Sequence, residues 1–249
     1  MSILVVSGTG TGVGKTVVTA AIAALAADRG ARVAVVKPAQ TGAEINQSGD
    51  VDVVRHLTGL TDVHEWSRYP LPLAPAAAAR HSGMPPPDLD AMAERIKALT
   101  DEHRLVLVEG AGGLLVRYDE DGTTIAHLAA ALDAPVLVVC DPRLGTLNHT
   151  ALTLEALAHR GLRCEGVVIG AWPQVPDLTA RSNIRDLETL AARPLVGALA
   201  ADAGDQSPSQ FLAIARAGLG PGLGGAFDAA DFRRTWAPTN GAPRDHHGT

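Results

Sequence analysis

A glycine-rich segment near the amino terminus constrains the fold of this chain more than any other feature. Residues 7–16 read SGTGTGVGKT, follow the apolar run Ile3 to Val6 and precede a helical pattern that begins at Val17. A strand, a glycine-rich turn and a helix in this order are typical of a phosphate-binding loop. Free amides and positive potential at the helix start attract anions. The segment therefore predicts a phosphate site at the end of the first strand.

The spacing of this loop differs from the common form by one residue. In the common form a glycine lies six residues before the lysine, where this chain has Thr9 and its first glycine is Gly8. We expect Lys15 to reach the terminal phosphates and the Thr16 hydroxyl to ligate Mg²⁺. A glycine-rich turn without a ligand is the alternative interpretation.

Lysine is rare in this chain, which uses arginine for most of its cations. Of 21 Lys and Arg residues, only Lys15, Lys37 and Lys97 are lysines. A lysine in such a chain indicates a need for a compact, mobile ammonium group. Lys37 ends the apolar run Val33 to Val36, and ligands of open α/β sheets bind where strands end. We expect Lys37 to lie across the phosphates from Lys15, the alternative being a solvated lysine, and Lys97 to lie on the surface.

A second apolar run ends in a carboxylate. Glu109 follows the strand pattern from Arg104 and precedes the sequence GAGG at 110–113. A carboxylate at a strand end facing a phosphate loop is placed to hold Mg²⁺, although a structural salt bridge would need the same residue. Asp50 and Asp52 are candidates for a second carboxylate ligand. Asp50 could also serve simply as a residue that starts a helix.

Two further segments contain polar groups suited to a substrate. Thr41 follows Lys37 on the same predicted loop, and the sequence LGTLNH at 144–149 opens a helical pattern. Free amides at that helix start are predicted to bind a second anion, such as a substrate carboxylate. Capping of the helix by Thr146 or Asn148 is the alternative. For His149 we expect a packed or hydrogen-bonded side chain rather than a catalytic base.

The order of apolar and helical patterns predicts an α/β fold. The predicted strands are 3–7, 32–36, 104–109, 135–140, 163–169 and 195–199. The predicted helices are 15–28, 51–58, 89–100, 124–132, 147–159, 178–191, 208–217 and 228–236. The strand patterns are continuous runs, as in parallel sheets that are covered on both faces. The fold class is therefore a single-domain, doubly wound, mostly parallel sheet flanked by helices.

Three segments complete the predicted organisation. Residues 1–236 form the single domain, and 237–249 form a disordered polar tail. The segment 69–87 is rich in proline and alanine, and the prolines of 68–75 exclude a regular helix or central strand there because they remove backbone donors. We predict a rigid loop there, which either forms a wall of the substrate site or is a plain connector.

Composition narrows the possible partners. The net charge is −6 and aromatic residues make up 3% of the chain, which disfavours nonspecific nucleic-acid binding and base-stacking surfaces. No apolar run is long enough to span a membrane, and no signal peptide is recognised. Cys140 and Cys164 are predicted to be free thiols in a reducing cytoplasm. We therefore expect a cytoplasmic protein with neither a nucleic-acid nor a membrane partner.

Taken together, four segments resemble the dethiobiotin synthetase family, which belongs to the P-loop NTPase superfamily. These are the long phosphate loop ending VGKT at 13–16, Lys37-Pro38 followed by Thr41-Gly42, the sequence VEGAGG at 108–113, and LGTLNH at 144–149. Any one of them would be a weak signal, whereas four in this order are specific. The resemblance extends from Ile3 to about Leu199.

This resemblance implies an enzyme of biotin biosynthesis, a ligase that closes a cyclic urea. Its substrates would be 7,8-diaminopelargonic acid, CO₂ and ATP or another nucleoside triphosphate, with Mg²⁺ as cofactor. One amine becomes a carbamate, the carbamate attacks the γ-phosphate to give a carbamic-phosphoric anhydride, and the second amine displaces phosphate. The active site would be shared across a homodimer, in which the partner's helix start receives the substrate carboxylate.

The resemblance also assigns roles to residues. It implies Lys15 and Lys37 as catalytic residues and Thr16, Asp50 and Glu109 as Mg²⁺ ligands. The implied substrate-binding residues are Thr41, Leu73, Gly145, Thr146, Leu147 and Asn148. The implied nucleotide-binding residues are Thr11, Gly12, Val13, Gly14, Lys15, Thr16, Val17, Asp50, Glu109, Gly110, Ala111, Gly112, Gly170, Ala171, Leu199, Ala200 and Ala201.

Several positions depart from the family pattern. Gly12 stands where an acidic residue is frequent in the phosphate loop, and Ala76 stands where many members have histidine. In the regions that read the base, this chain has Gly170-Ala171 and 199–201 in place of the usual asparagine and proline. We therefore predict a looser choice of nucleoside triphosphate.

Other P-loop proteins fit the sequence less well. A partition-type dimeric ATPase switch is the main alternative, but such proteins carry a lysine where this chain has Gly10. A synthetase that activates a carboxylate would need a glutamine-handling domain, for which the chain is too short. A GTPase would need an Asn-Lys-x-Asp element, which the sequence lacks.

Overall fold

A computed structural model of the chain describes residues 2–238. Its strands are β1 (Ser2–Gly8), β2 (Val33–Lys37), β3 (Gln40–Thr41), β4 (Val63–Glu65), β5 (Arg68–Tyr69), β6 (Leu105–Glu109), β7 (Val136–Cys140), β8 (Cys164–Trp172) and β9 (Gly197–Ala200). Its α-helices are α1 (Lys15–Asp28), α2 (Asp50–Thr58), α3 (Pro75–Ser82), α4 (Leu89–Leu99), α5 (Ile125–Ala131), α6 (Thr146–His159), α7 (Leu178–Ala191), α8 (Pro208–Gly218) and α9 (Ala229–Trp236). Two short 3₁₀ helices are Ala203–Asp205 and Pro221–Leu223.

The central element is a seven-stranded sheet with the order β4-β2-β6-β1-β7-β8-β9. All neighbouring strands in it run parallel. The short strands β3 and β5 form a separate parallel pair. Within the described residues, this confirms the predicted α/β fold with its mostly parallel sheet.

Side chains from both faces of the sheet are buried, as the continuous apolar runs predicted. On β1, Leu4 and Val6 enter a core that includes α1, α2 and α8, whereas Val5 enters a core that includes α4, α5 and α7. Alternate side chains of a strand point to opposite faces, so each face requires its own cover. The sheet is therefore doubly wound.

The segment 69–87 differs from the predicted loop. It contains the helix α3, which starts with Pro75 at its first position. Proline is tolerated there because the amide of that position has no helical partner. The predicted loop is therefore wrong from Pro75 onward, because the alanines that follow favour a helix, whereas no helix forms between 68 and 74.

The predicted tail can be followed for only two residues. Ala237 is 7% exposed, and its amide donates to the Arg233 carbonyl at 3.0 Å. Residues 239–249, which make up the rest of the predicted tail, lie outside the described part of the chain. Cys140 and Cys164 are both free thiols. No helix within residues 2–238 is long and apolar enough to cross a membrane.

The carboxyl ends of three neighbouring strands bring the predicted charges together. In the sheet order, β6 ends at Glu109 and lies between β2, which ends at Lys37, and β1, which leads into the phosphate loop at Gly8. Ends of parallel strands meet at one edge, where open α/β sheets bind their ligands. The candidate site lies at this edge.

Candidate active site

The loop between β1 and α1 leaves the first amides of the helix without side-chain partners. Gly14 precedes α1 with φ 93° and ψ 17°, and no side chain caps this helix start. A Cβ at Gly14 would lie 2.6 Å from the Gly170 carbonyl oxygen, so both the conformation and the packing require glycine. The free amides form an anion site directly above the sheet edge.

Lys15 lies folded into this loop. Its ammonium donates to the Gly10 carbonyl at 2.8 Å, and the residue is only 7% exposed. Burial and then the neighbouring Lys37 ammonium lower the pKa of Lys15 to about 8. A phosphate would offer the ammonium a negatively charged acceptor that the neutral Gly10 carbonyl does not provide.

The Lys37 ammonium is the centre of a buried charge cluster. Its nitrogen lies 2.8 Å from Glu109 Oε1, 2.5 Å from Asp50 Oδ2 and 3.2 Å from the Gly110 carbonyl oxygen. An ammonium group has three hydrogens to donate, and these three acceptors can use all of them. The Lys37 ammonium therefore lies between the two acids that were predicted as Mg²⁺ ligands.

Burial and charge act in opposite directions on this cluster. Burial lowers the pKa of Lys37, but Glu109 and Asp50 outweigh it and raise the pKa above its usual value. Burial raises the pKa of Asp50, but Lys37 reverses this and leaves the pKa below its usual value. For the fully enclosed Glu109, burial raises the pKa and Lys37 only partly offsets it. The positive charge of Lys37 thus offsets the repulsion between the Asp50 and Glu109 carboxylates, which lie close together in a largely buried site.

The same acids have the chemistry of a magnesium site. Thr16 Oγ1 donates to Glu109 Oε1 at 2.8 Å, so a hydroxyl and two carboxylates supply oxygen ligands near the phosphate loop. Residues 2–238 contain no group of three or more His, Cys, Asp or Glu side chains that could hold a metal alone. Mg²⁺ commonly binds to one or two carboxylates together with substrate phosphates, and this set fits that pattern. Because the carboxylates of Asp50 and Glu109 both contact the Lys37 ammonium, they are close enough to each other to bind one cation.

Asp50 and Asp52 have different surroundings. Asp50 contacts Lys37, whereas Asp52 accepts from the Gly49 amide at 2.8 Å and from Arg55 at 2.9 Å. Asp52 therefore caps the start of α2 and forms an ion pair with Arg55 on the solvent-exposed side of the same helix. Between the two candidates left open by the sequence, Asp50 is the one that faces the charge cluster.

The residues expected near the base lie at the ends of β8 and β9. Gly170 packs against the phosphate loop, since a Cβ there would lie 2.0 Å from the Val13 carbonyl oxygen. The Ala201 amide donates to the Trp172 carbonyl at 2.8 Å and joins the two strand ends. Leu199 is 0% exposed and packs in the core, so its side chain does not face a nucleotide.

The second predicted anion site is the start of α6. Gly145 has φ 95° and ψ −17°, and no side chain caps the helix, so the capping alternative is wrong. Thr146 is buried, Leu147 is half-buried against the core, and Asn148 is exposed. His149 is exposed as well. Of the packed or hydrogen-bonded side chain that we expected, the packed form is therefore wrong.

A cavity of about 410 Å³ lies beside this helix. Its walls come from three segments: the phosphate loop at Thr9–Thr11, the loop 113–116, and α6 from His149 to Ala156. Thr41 is half-buried in β3, which follows Lys37 after two residues, and Leu73 is 42% exposed in the loop before α3. The substrate candidates are thus spread over separate surface segments rather than enclosed in one pocket.

Two supporting residues were missed by the sequence analysis. Gln40 Oε1 accepts from the Asp50 amide at 2.9 Å, and Tyr118 Oη accepts from the Ala111 amide at 2.8 Å. Gln40 lies in the segment after Lys37, but nothing local connects it to a helix ten residues later. The chain has only two tyrosines, and this rarity is the one sequence signal that could have drawn attention to Tyr118.

Comparison with known proteins gives close relatives for nearly the whole chain. The AAA domain family model matches residues 2–204. A protein named ATP-dependent dethiobiotin synthetase BioD from Parafrankia sp. is 65% identical over 237 residues, covering 95% of this chain and 100% of that protein. The protein of the same name from Frankia casuarinae is 66% identical over 233 residues, covering 94% and 98%. The one from Mycobacterium avium is 50% identical over 230 residues, covering 92% and 96%.

Solved structures share the fold at low sequence identity. The septum site-determining protein MinD of Pyrococcus horikoshii, complexed with Mg-ADP, has a TM-score of 0.53 and 19% identity over 86% of this chain and 94% of that one. A ParA family ATPase of Chlorobium tepidum has a TM-score of 0.54 and 14% identity over 86% and 91%. Identities this low support a common P-loop fold and nothing finer.

Proposed function

The chain belongs to the ATP-dependent dethiobiotin synthetase family, and we propose that the Lys37 cluster at its sheet edge carries out the ring closure. The protein is a ligase that makes dethiobiotin in biotin biosynthesis and depends on ATP. The proposal concerns the substrates, the residues that act on them and the assembly in which they act.

The proposed substrates are 7,8-diaminopelargonic acid, CO₂ and a nucleoside triphosphate. One amine attacks CO₂ and loses a proton, which gives a carbamate. A carbamate oxygen then attacks the γ-phosphorus, the nucleoside diphosphate leaves, and a carbamic-phosphoric anhydride forms. The second amine attacks the carbamoyl carbon, phosphate leaves with the bonding electrons, and loss of a proton completes the cyclic urea.

The observation that carries this proposal is the buried Lys37 ammonium between Glu109 and Asp50. Attack of one anion on another is limited by repulsion and alignment rather than by the strength of a base. An ammonium held at the sheet edge can bind the carbamate oxygen and offset its negative charge as this oxygen approaches the phosphoryl group. Because its pKa is raised, Lys37 keeps its charge throughout the physiological pH range.

Lys15 has the complementary role on the nucleotide side. We propose that its ammonium leaves the Gly10 carbonyl and binds oxygens of the terminal phosphates, while the amides of Gly12 to Val17 hold the remaining charge. Two observations support this movement: Lys15 lies in the phosphate loop, and its ammonium is bound to the neutral Gly10 carbonyl, which a phosphate oxygen can replace.

Thr16, Asp50 and Glu109 are the proposed ligands of Mg²⁺. When bound, Mg²⁺ would screen the phosphate charge and orient the terminal phosphates. All three side chains offer oxygen atoms, and the two carboxylates both contact Lys37, which supports this role.

We propose a homodimer in which the start of α6 from one subunit receives the substrate carboxylate of the other. The uncapped amides after Gly145 and the exposed Asn148 support an anion site that opens to the surface. Thr41 and Leu73 would contact the diamine and its alkyl chain. Free thiols at both cysteines suit the cytoplasm, where we propose that the enzyme works.

The direct test is phosphate release from ATP after addition of diaminopelargonate, bicarbonate and Mg²⁺. We expect release only when all components are present, with dethiobiotin formed in equal amount. ATP hydrolysis that does not depend on the diamine would instead favour a partition-type ATPase switch.

The same assay with subsaturating ATP, CTP, GTP and UTP tests the selectivity for the nucleotide base. Strict ATP preference would contradict the loose choice predicted from Gly170-Ala171 and 199–201.

A further inference from the structure

One peptide group connects Lys37 to a tyrosine in the core. The carbonyl oxygen of Gly110 accepts from Lys37 Nζ at 3.2 Å. The N–H of the same peptide belongs to Ala111 and donates to Tyr118 Oη at 2.8 Å. A peptide group is planar, so the direction of its N–H also determines the direction of its carbonyl. The Tyr118 hydroxyl therefore orients an acceptor of the Lys37 ammonium.

The surroundings of Tyr118 indicate that its hydroxyl has a specific use. The residue is 0% exposed and lies in the apolar core beneath the sheet edge. A buried hydroxyl costs free energy unless it is hydrogen-bonded, and a phenylalanine would fill the same volume without this cost. The hydrogen bond to Ala111 is thus the feature that distinguishes tyrosine from phenylalanine here.

The loop needs such a constraint because glycines flank the peptide. Gly110 and Gly112 lie on either side of Ala111, and Gly112 has φ 66°. Glycine permits many backbone conformations, so the chain itself resists rotation of this peptide only weakly. Without the Tyr118 hydroxyl, the Gly110 carbonyl is free to turn away from Lys37.

The Gly110 carbonyl differs from the other two acceptors of Lys37. Asp50 and Glu109 are also the proposed metal ligands, whereas the Gly110 carbonyl is a neutral group that is not a proposed metal ligand. It is therefore the acceptor that can hold the ammonium in place while the other two hydrogens of Lys37 turn to substrate oxygens. This step rests on the proposed function of Lys37.

We propose that Tyr118 is a positioning residue for the reaction, which aims Lys37 at the reacting oxygens through the peptide between Gly110 and Ala111. It touches no substrate itself. Its effect is expected on the rate of the chemical step rather than on nucleotide binding, because the proposed contacts of Lys15 and the phosphate loop with the phosphates do not involve Tyr118.

Tyr118→Phe tests this proposal, with Tyr69→Phe as the matched control. Tyr69 is also buried, at 1% exposure, but its hydroxyl donates to the Pro85 carbonyl at 2.7 Å, away from Lys37. We expect Tyr118→Phe to lower kcat about tenfold, which equals about 1.4 kcal/mol in activation free energy, and to leave the nucleotide KM within about twofold. Tyr69→Phe, which also loses a buried hydroxyl but not one linked to Lys37, should lower kcat much less than Tyr118→Phe.

The outcomes separate this inference from the function on which it rests. If Lys37→Ala retains activity, the proposed role of Lys37 itself fails. If Lys37→Ala is inactive while Tyr118→Phe keeps the wild-type kcat, or loses no more kcat than Tyr69→Phe, only the positioning role is overturned. A lower melting temperature of Tyr118→Phe with unchanged kcat would likewise show a purely structural tyrosine.

A second measurement does not depend on a folded variant. The Ala111 amide of the wild-type protein should exchange its hydrogen slowly, because Tyr118 binds it in the core. Exchange as fast as that of an exposed loop amide would overturn the proposal.

Discussion

The starts of α1 and α6 have nearly the same backbone but very different surroundings. Gly14 precedes α1 with φ 93° and ψ 17°, and Gly145 precedes α6 with φ 95° and ψ −17°. Neither helix has a side-chain cap, and the strands that lead to them, β1 and β7, are neighbours in the sheet. Each start offers free amides to an anion.

The difference lies in the charges around these amides. The start of α1 is closed by the phosphate loop, where Lys15 is 7% exposed, and it adjoins the Lys37 cluster. The start of α6 opens to the surface, and Leu144 before it is 91% exposed. A backbone turn is thus enough to create an anion site, but among residues 2–238 only the first of these two sites has a buried charge cluster beside it. The second is the site that the proposed homodimer would complete.

Removal of Lys37 should have the largest effect on the first site. We expect Lys37→Ala to lower kcat by about 100- to 1000-fold, because a preorganised cation at the reacting oxygens is lost. Phosphate release under saturating substrates measures this. Lys97→Ala is the control, since Lys97 pairs with Glu94 on the surface. Near-normal activity of Lys37→Ala in a folded protein, judged by circular dichroism, would remove Lys37 from the mechanism.

The first site should also respond to the loss of one acid. Glu109→Gln keeps the shape but removes the charge, and the Mg²⁺ concentration for half-maximal rate should rise about 10- to 100-fold. Glu102→Gln is the control, because Glu102 is exposed and pairs with Arg32. An unchanged Mg²⁺ requirement would indicate that Glu109 only supports the fold.

Alkaline pH should weaken phosphate binding at the first site. The pKa of Lys15 is about 8 in the free protein, so Lys15 is charged below pH 8 and loses its proton above it. A bound phosphate favours the ammonium form, so binding above pH 8 must take up a proton, and the affinity should fall by up to about tenfold per pH unit. Calorimetric titration of nucleotide without Mg²⁺ measures this. Lys15→Met should bind weakly and show no such decline; a wild-type affinity independent of pH would contradict the prediction.

Alanine at the two glycines compares the helix starts directly. Both positions have positive φ, which costs a residue with a Cβ about 1–2 kcal/mol. At Gly14 the Cβ would also lie 2.6 Å from the Gly170 carbonyl oxygen, whereas at Gly145 the nearest atom is His149 Cε1 at 3.8 Å. Gly14→Ala should therefore impair nucleotide binding strongly, and Gly145→Ala should raise the diamine KM several-fold with little change in the nucleotide KM.

Gly161→Ala controls for strain alone, since Gly161 has φ 64° and no atom within 4 Å of the added Cβ. It should lower the melting temperature without changing either KM. If Gly145→Ala behaves in the same way as Gly161→Ala, the start of α6 has no role in substrate binding.

Much of this architecture could be predicted from local patterns. The strands of the central sheet read as continuous apolar runs, except β4 (Val63–Glu65), which is too short to stand out. Parallel strands end at one edge of a sheet, and this rule predicts that Lys37 and Glu109 lie at the same edge. Their contact also depends on β2 and β6 being neighbours, which the structure shows. The helix α3 was missed because its alanines follow a run of prolines, and proline is acceptable at the first helical position.

The choice between equivalent residues could not be predicted in this way. Asp50 and Asp52 both begin α2, but residues two apart on a helix point in different directions, and only Asp50 faces Lys37. Leu199 was predicted to lie beside the nucleotide base, yet its side chain faces the core. Gln40 and Tyr118 support the site through contacts that no local pattern encodes.

The sequence by itself determined the parallel α/β fold, the glycine turns before α1 and α6 and the identity of the rare ammonium groups and acids, because these depend on short segments of chain. Only the tertiary structure decided which acid meets Lys37 and which hydroxyl holds the peptide beside it. The physical reason is that side-chain direction depends on how helices and strands distant in sequence pack against each other, and burial then determines how strongly the charges that meet there interact.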